Sequence, residues 1–142
     1  MLERIMDGVT RTLRDEFGKE IPIYTETVLQ GLRKPCLMVY LESPKVTFVR
    51  GNRHAFSGRV CVHFVPKTEE VQKECMAVAQ RLFRSLGCIA VDGLALRGKK
   101  RKYEVVDGVL RFFVTYECQF FEDISEKEDG TKPMESLAIV WN

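Results

Sequence analysis

The alternation of apolar and polar positions is clearest from Tyr103 to Phe121, YEVVDGVLRFFVTYECQFF. Asp107-Gly108 separates two strand-like runs, and Asp-Gly suits a type I′ turn, which needs positive φ at both central positions. A two-residue loop fixes the register: Val106 opposite Val109, Val105 opposite Leu110, Glu104 opposite Arg111 and Tyr103 opposite Phe112. Opposite partners share a face. One face then carries Tyr103, Val105, Leu110, Phe112, Val114, Tyr116 and Cys118. The other carries Lys100, Lys102, Glu104, Arg111, Thr115, Glu117 and Gln119, with Phe113 and the Val106/Val109 pair as apolar exceptions. The pattern predicts a long ribbon with one buried face and one largely charged face, suited to presenting a surface.

Elsewhere the period changes. Leu2, Ile5, Met6, Val9, Leu13 and Phe17 recur at helical spacing, and Gly18 follows as a helix stop, so a helix is predicted over Leu2–Phe17. Ile21-Pro22 starts extended, because the residue before proline avoids the α region, and a short strand is predicted at Ile23–Thr25. Thr27–Leu32 has no clear pattern. Cys36–Leu41 is an apolar run of strand length, with Ser43-Pro44 expected to end it. Arg50-Gly51-Asn52-Arg53 reads as a turn, and Ala55–Val65 as a strand stopped by Pro66. Thr68 is expected to cap a second helix, with Glu69 and Glu70 in its first turn. Its apolar stripe is Val71, Cys75, Val78, Ala79, Leu82, Phe83 and Leu86, and Gly87 ends it. Short strands at Cys88–Val91 and Leu94–Arg97 flank an Asp92-Gly93 turn.

Runs of antiparallel strands around two helices imply an α+β fold: a single domain, mostly antiparallel, with a long β-hairpin and both helices packed on one face. The domain is expected over residues 1–121. Residues 122–135 lack apolar periodicity and read as an acidic flexible linker. Residues 136–142 follow as a strand-like segment, in which Leu137, Ile139 and Trp141 alternate with Ala138 and Val140; it is expected to add to a sheet edge, of this chain or of a neighbour.

Charge sharpens this picture locally. The net charge is +2, too small to imply a nucleic-acid or membrane partner. Yet Arg97–Lys102 holds five basic residues in six, and Glu122–Glu135 holds six acidic residues against two lysines. No apolar run approaches the roughly 20 residues that cross a bilayer, and MLERIMDGVTRTLRDEF, with acids throughout, is not expected to be a signal peptide. Cys36, Cys61, Cys75, Cys88 and Cys118 are odd in number and apolar in context, as expected of buried thiols in a reducing compartment.

The candidate chemistry is thin. Cys61 and His63, with Cys75 on the next helix, lack the paired spacing of a zinc site, and a core thiol beside a partly buried histidine is the expected reading. No cysteine sits at a helix N-terminus or strand-to-helix elbow where its pKa would fall, so the chain is expected not to be an enzyme and to use no cofactor or metal. Arg97-Gly98-Lys99-Lys100 lacks the surroundings of a phosphate loop. The basic run beside Tyr103 would suit a nucleic-acid backbone, but lysines on an edge strand also prevent aggregation, and that reading or a protein partner is favoured.

Several segments occur together in a recognisable order. They are Ile23-Tyr24-Thr25-Glu26, Gln30-Gly31-Leu32, Pro35-Cys36, Gly51-Asn52-Arg53, Phe64-Val65-Pro66 and Glu74-Cys75 with Val78-Ala79. The last is Tyr103–Leu110 with Phe112-Phe113-Val114 and Tyr116. Over roughly residues 1–121 this set resembles the tail terminator proteins of tailed phages and of defective prophages of Gram-positive bacteria. His54 stands where that family has an aromatic residue, and the acidic linker and Leu137–Trp141 depart from its pattern.

The resemblance implies a non-enzymatic structural protein. It would form a ring, typically a hexamer, that caps the tail tube, halts its polymerisation and offers its other face to head-completion or connector proteins. Its partners would be itself, the tail tube protein and a connector protein, with DNA only as passing cargo and no membrane. Its place would be the bacterial cytoplasm during assembly and then the head-proximal end of the virion tail. The candidate subunit or tube interface is Arg97, Lys99, Lys100, Arg101, Lys102, Glu104, Arg111, Phe113 and Trp141. Two alternatives stay open: a nucleic-acid-binding module using the 97–102 basic strand, and another head–tail connector or tube ring protein.

Overall fold

The computed structural model describes residues 2–25, 33–121 and the strand 138–140. The two apolar stripes become helices α1, Leu2–Phe17, and α2, Val71–Ser85. Ile5, Val9, Leu13 and Phe17 of α1 are buried, as are Cys75, Val78, Ala79 and Leu82 of α2. Gly18 ends α1 at φ +65°, a conformation that costs glycine little, and its N–H donates to Arg14 O at 2.8 Å. The helices are tied by Glu16, whose carboxylate accepts from Arg81 and Arg84, both at 3.1 Å. The Arg81 guanidinium also lies 4.3 Å from the centre of the Phe17 ring. The hydrogen bond from Arg81 holds the Glu16 carboxyl below its usual range, with burial opposing it.

One sheet contains β1 (Ile23–Tyr24), β2 (Cys36–Arg50), β3 (Arg53–Val65), β7 (Val109–Phe121) and β6 (Lys99–Val106), side by side in that order. Only β1 runs parallel to its neighbour. A short strand, β8 (Ala138–Val140), pairs with β7 beyond the end of β6. Between α2 and β6 the chain forms a small separate hairpin of β4 (Cys88–Val91) and β5 (Leu94–Arg97), turning at Asp92-Gly93 with positive φ at both residues. The core lies between this hairpin, the two helices and one face of the large sheet. Leu37, Val39, Val60, Val62, Phe64, Leu110, Phe112 and Val114 fill it from the strands. The α+β architecture with both helices on one face is the expected one. The Asp107-Gly108 turn and all four predicted cross-strand pairs are present.

Three expectations about single elements are corrected. Ser43-Pro44 does not end β2. Pairing passes from Glu42–Arg59 to Lys45–Ser57, so two residues oppose the single Gly58 in a β-bulge. A bulge leaves proline's missing N–H outside the ladder, so the strand continues through it. Gly58 leaves room there for its neighbours: a Cβ would lie 2.8 Å from Phe56 Cζ and 3.0 Å from Leu41 Cδ1, and these side chains would have to shift. Thr68 does not cap α2, which begins at Val71 after Glu70. Instead the Glu74 carboxylate reaches back and accepts from Lys67 N, Thr68 N and Thr68 Oγ1. Cys88 is exposed on β4, whereas the other four thiols are buried.

The basic run is not one strand. Arg97 belongs to β5, opposite Cys88, and Gly98 is the junction to β6. A Cβ at Gly98 would lie 2.5 Å from Leu86 O and 2.6 Å from Val114 Cγ2, so no other residue fits without displacing α2 from β7.

Candidate assembly interface

Among the described residues, the helices cover one face of the sheet and leave the other bare. Three rungs cross the bare face, each drawn from β2, β3, β7 and β6. They are Glu42–Arg59–Thr115–Lys99, Tyr40–Cys61–Phe113–Lys102 and Met38–His63–Arg111–Glu104. Phe113, the apolar exception of the sequence pattern, is the centre of this surface and is 8% exposed. The Arg59 guanidinium lies 4.8 Å from its ring centre and the Lys102 amine 5.7 Å, an arrangement that draws cations onto the aromatic face. Arg59 also donates to Glu42 at 2.6 Å. The Tyr40 hydroxyl lies 2.6 Å from His63 Nε2. Arg111 Nε is buried and has no hydrogen-bond partner among the described residues.

The electrostatics of this face oppose nucleophilic chemistry. Burial pushes the Cys61 thiol up to about 11 and the Tyr40 hydroxyl up to about 12. Burial, reinforced by the Arg111 charge, lowers the His63 pKa below 6.5. A thiol raised in this way carries little thiolate, the species that attacks. Cys61 and His63 share a face, but Cys75 is in the core on the opposite side of the sheet, so the three do not converge. Among the described residues no cluster of three or more His, Cys, Asp and Glu is placed to hold a metal.

The predicted interface residues divide. Lys99, Lys102, Glu104, Arg111 and Phe113 come together on the bare face. Lys99 and Lys100 depart from the predicted alternation, because pairing jumps from Lys99–Thr115 to Lys102–Phe113. This second bulge, with Lys100 at φ 53°, brings Lys99 to the place opposite Thr115 that the alternation gives to Lys100, while Arg101 keeps the helix side. There Arg101 donates to Phe83 O, Tyr116 Oη donates to Leu86 O at 2.6 Å, and Gly98 N donates to Gly87 O at 2.8 Å. These bonds satisfy carbonyls that the end of α2 would otherwise leave unpaired. A cation also suits that end of the helix dipole. Arg101 thus holds the fold together, and Arg97 lies on the separate hairpin. Trp141 is outside the described residues.

Sequence reasoning missed Tyr40, Glu42 and Arg59, although period-two spacing on β2 and β3 places them beside Cys61 and Phe113. It also missed a second surface. Beyond the bulge, every residue of β2 from Ser43 to Arg50 is exposed, including Val46, Val49 and Phe48, the last 69% exposed. Phe48 meets His54 edge-on, and His54 stacks on Phe120 at 5.4 Å. His54, which replaces an expected aromatic residue, thus occupies an aromatic position in the packing.

A search of curated proteins finds no match to this chain. The family model described as phage tail terminator protein matches residues 4–130, which include α1 from Arg4 onward, α2, the small hairpin and the rest of β1 to β7. The chain belongs to the phage tail terminator protein family.

Proposed function

We propose that this structural phage tail protein assembles into a ring, with six copies as the family resemblance implies, that caps the tail tube. The ring stops tube polymerisation and presents its other side to head-completion or connector proteins. It assembles in the bacterial cytoplasm and remains at the head-proximal end of the tail, with DNA passing through its channel. The observation that carries this reading is the bare face of the sheet, where Arg59, Lys102 and Arg111 surround Phe113. A buried aromatic with arginines is the composition of a protein–protein contact. Lys99 and Glu104 belong to the same contact surface.

The alternative of a nucleic-acid module is less well supported, because the basic run is split between β5, the bare face and the end of α2. Phosphate-driven binding would fall steeply with salt. Among the described residues no helix is long and apolar enough to cross a membrane.

Two measurements test the proposal. Native mass spectrometry of the purified protein is expected to give a ring mass. Added to polymerising tail tube protein, it is expected to shorten the tubes in proportion to its concentration. Tubes of unchanged length would overturn the capping role and leave a connector or tube ring protein as the reading.

A further inference from the structure

We infer that β8 is an exchange arm: in the assembled protein, Ala138–Val140 of one copy pairs with Gln119–Phe121 of a second copy. This rests on the self-assembly in the proposed function and adds to it the means by which copies are joined. The family match ends at residue 130, before β8, so the arm lies outside what the family pattern covers.

The argument begins with the edge of β7. On that edge β6 pairs only as far as Thr115, and β8 pairs with Gln119, Phe120 and Phe121. The pairing is antiparallel and Phe121 faces Ala138, so within one chain the ladder closes at its first rung. A two-residue turn would join such a pair. The sequence instead places sixteen residues, 122–137, between them. At about 3.3 Å per extended residue these could span about 50 Å, more than the diameter of a small domain. They are acidic, without apolar periodicity, and so lack the composition to build a core of their own. Their length exceeds what the intrachain contact needs and is enough to reach a neighbouring copy.

The receiving edge is also in the right place. Gln119–Phe121 lies opposite Arg53–Ala55, at the end of the sheet that carries exposed Val46, Phe48 and Val49. Without β8 this stretch of β7 would be an open strand edge at that apolar end of the sheet, and an open edge is a site where another chain adds. In a closed ring each copy donates one strand and receives one, so no edge stays unfilled, and exchange preserves the register seen within one chain.

Disulfide trapping tests the inference on the full chain, with the exposed Cys88 replaced by Ser in every variant. Phe121 and Ala138 are Cα partners, so cysteines at both can bond. One tagged chain carries Phe121→Cys and a second, of different mass, carries Ala138→Cys. After co-expression and oxidation, a covalent heterodimer containing one of each is expected. A chain carrying both substitutions is expected to give a ladder of covalent oligomers on a non-reducing gel. A cross-linked monomer recovered from particles of ring mass would overturn the exchange and leave ring assembly standing. A protein that stays monomeric throughout would overturn both. Absence of any cross-link in either experiment would show that β8 does not lie on β7 and would also overturn the inference.

Discussion

The two ends of the large sheet are built from the same strands and do opposite things. At one end, Cys36–Leu41, Val60–Phe64 and Leu110–Val114 lie under the helices, and most of their side chains are fully buried. At the other, Ser43–Arg50 is exposed at every position. Length explains the difference. A 15-residue helix such as α2 is about 22 Å long, whereas a 15-residue strand such as β2 approaches 50 Å. The sheet is therefore longer than its helices can cover. A lone hairpin is marginal in water, but here β7 supplies a third strand, and the Phe48–His54–Phe120 cluster packs across all three. One end holds the fold together, and the other is a three-stranded arm with apolar residues in water, the profile of a surface that is covered on assembly.

The largest effects should separate these ends. Phe112 is fully buried and meets Phe83 edge-on at the covered end. Phe112→Ala is expected to cost about 3–5 kcal/mol, read as a fall in the urea midpoint. Phe48→Ser on the arm is expected to change monomer stability by no more than about 0.5 kcal/mol. The same variant should lower the fraction of protein at ring mass. Equal shifts in the urea midpoint for both variants would break the distinction between the ends.

A smaller effect is expected where the covered end is fastened. Tyr116 is fully buried, and burial drives its hydroxyl well above the usual range, so it remains a donor. Its bond to Leu86 O closes the end of α2. Tyr116→Phe leaves that carbonyl without its donor, at an expected cost of about 1–3 kcal/mol in the urea midpoint. Ring mass should be unchanged once the protein is folded. A variant as stable as the wild type would mean that α2 is held without this bond.

The covered end was legible because local chemistry and burial agree there. Asp107-Gly108 fixes a turn and hence a register, and the stripes of α1 and α2 match buried faces. Other features were not, because they depend on partners that local rules do not name. Pro44 stops a strand by local rules, yet β3 continues to pair across the bulge. Lys100 reads as one more alternating residue, yet a second bulge shifts the phase and puts Lys99 in its place opposite Thr115. Thr68 has the composition of a cap, but Glu74 supplies a carboxylate that binds the loop instead. The residues of the bare face were half legible: the β6–β7 ribbon pointed to Lys102, Arg111 and Phe113, while Tyr40, Glu42 and Arg59 depended on the order of strands. Leu137–Trp141 was expected to join a sheet edge, and Ala138–Val140 does so on β7.

The smallest effect expected is a pH dependence, and it belongs to the bare face above the covered end. His63 faces Tyr40 and Arg111 there, and burial with the Arg111 charge holds its pKa below the ordinary 6.5, against a weaker pull from Glu42. Above pH 6.5 the ring is neutral in both folded and unfolded chains, and stability does not depend on it. As pH falls through 6.5 the unfolded chain takes up a proton that the folded chain resists, so stability declines until the lowered folded pKa is reached. Glu16 does not intrude, because its depressed pKa acts below 4.5. The melting temperature is therefore expected to fall between pH 7.5 and 5.5, with a shallower slope in His63→Gln. An identical slope in that variant would remove His63 as the cause. If ring assembly buries this face further, the slope should steepen in the assembled protein, because deeper burial opposes the proton more strongly. An unchanged slope on assembly would place the contact on the arm and not on this face.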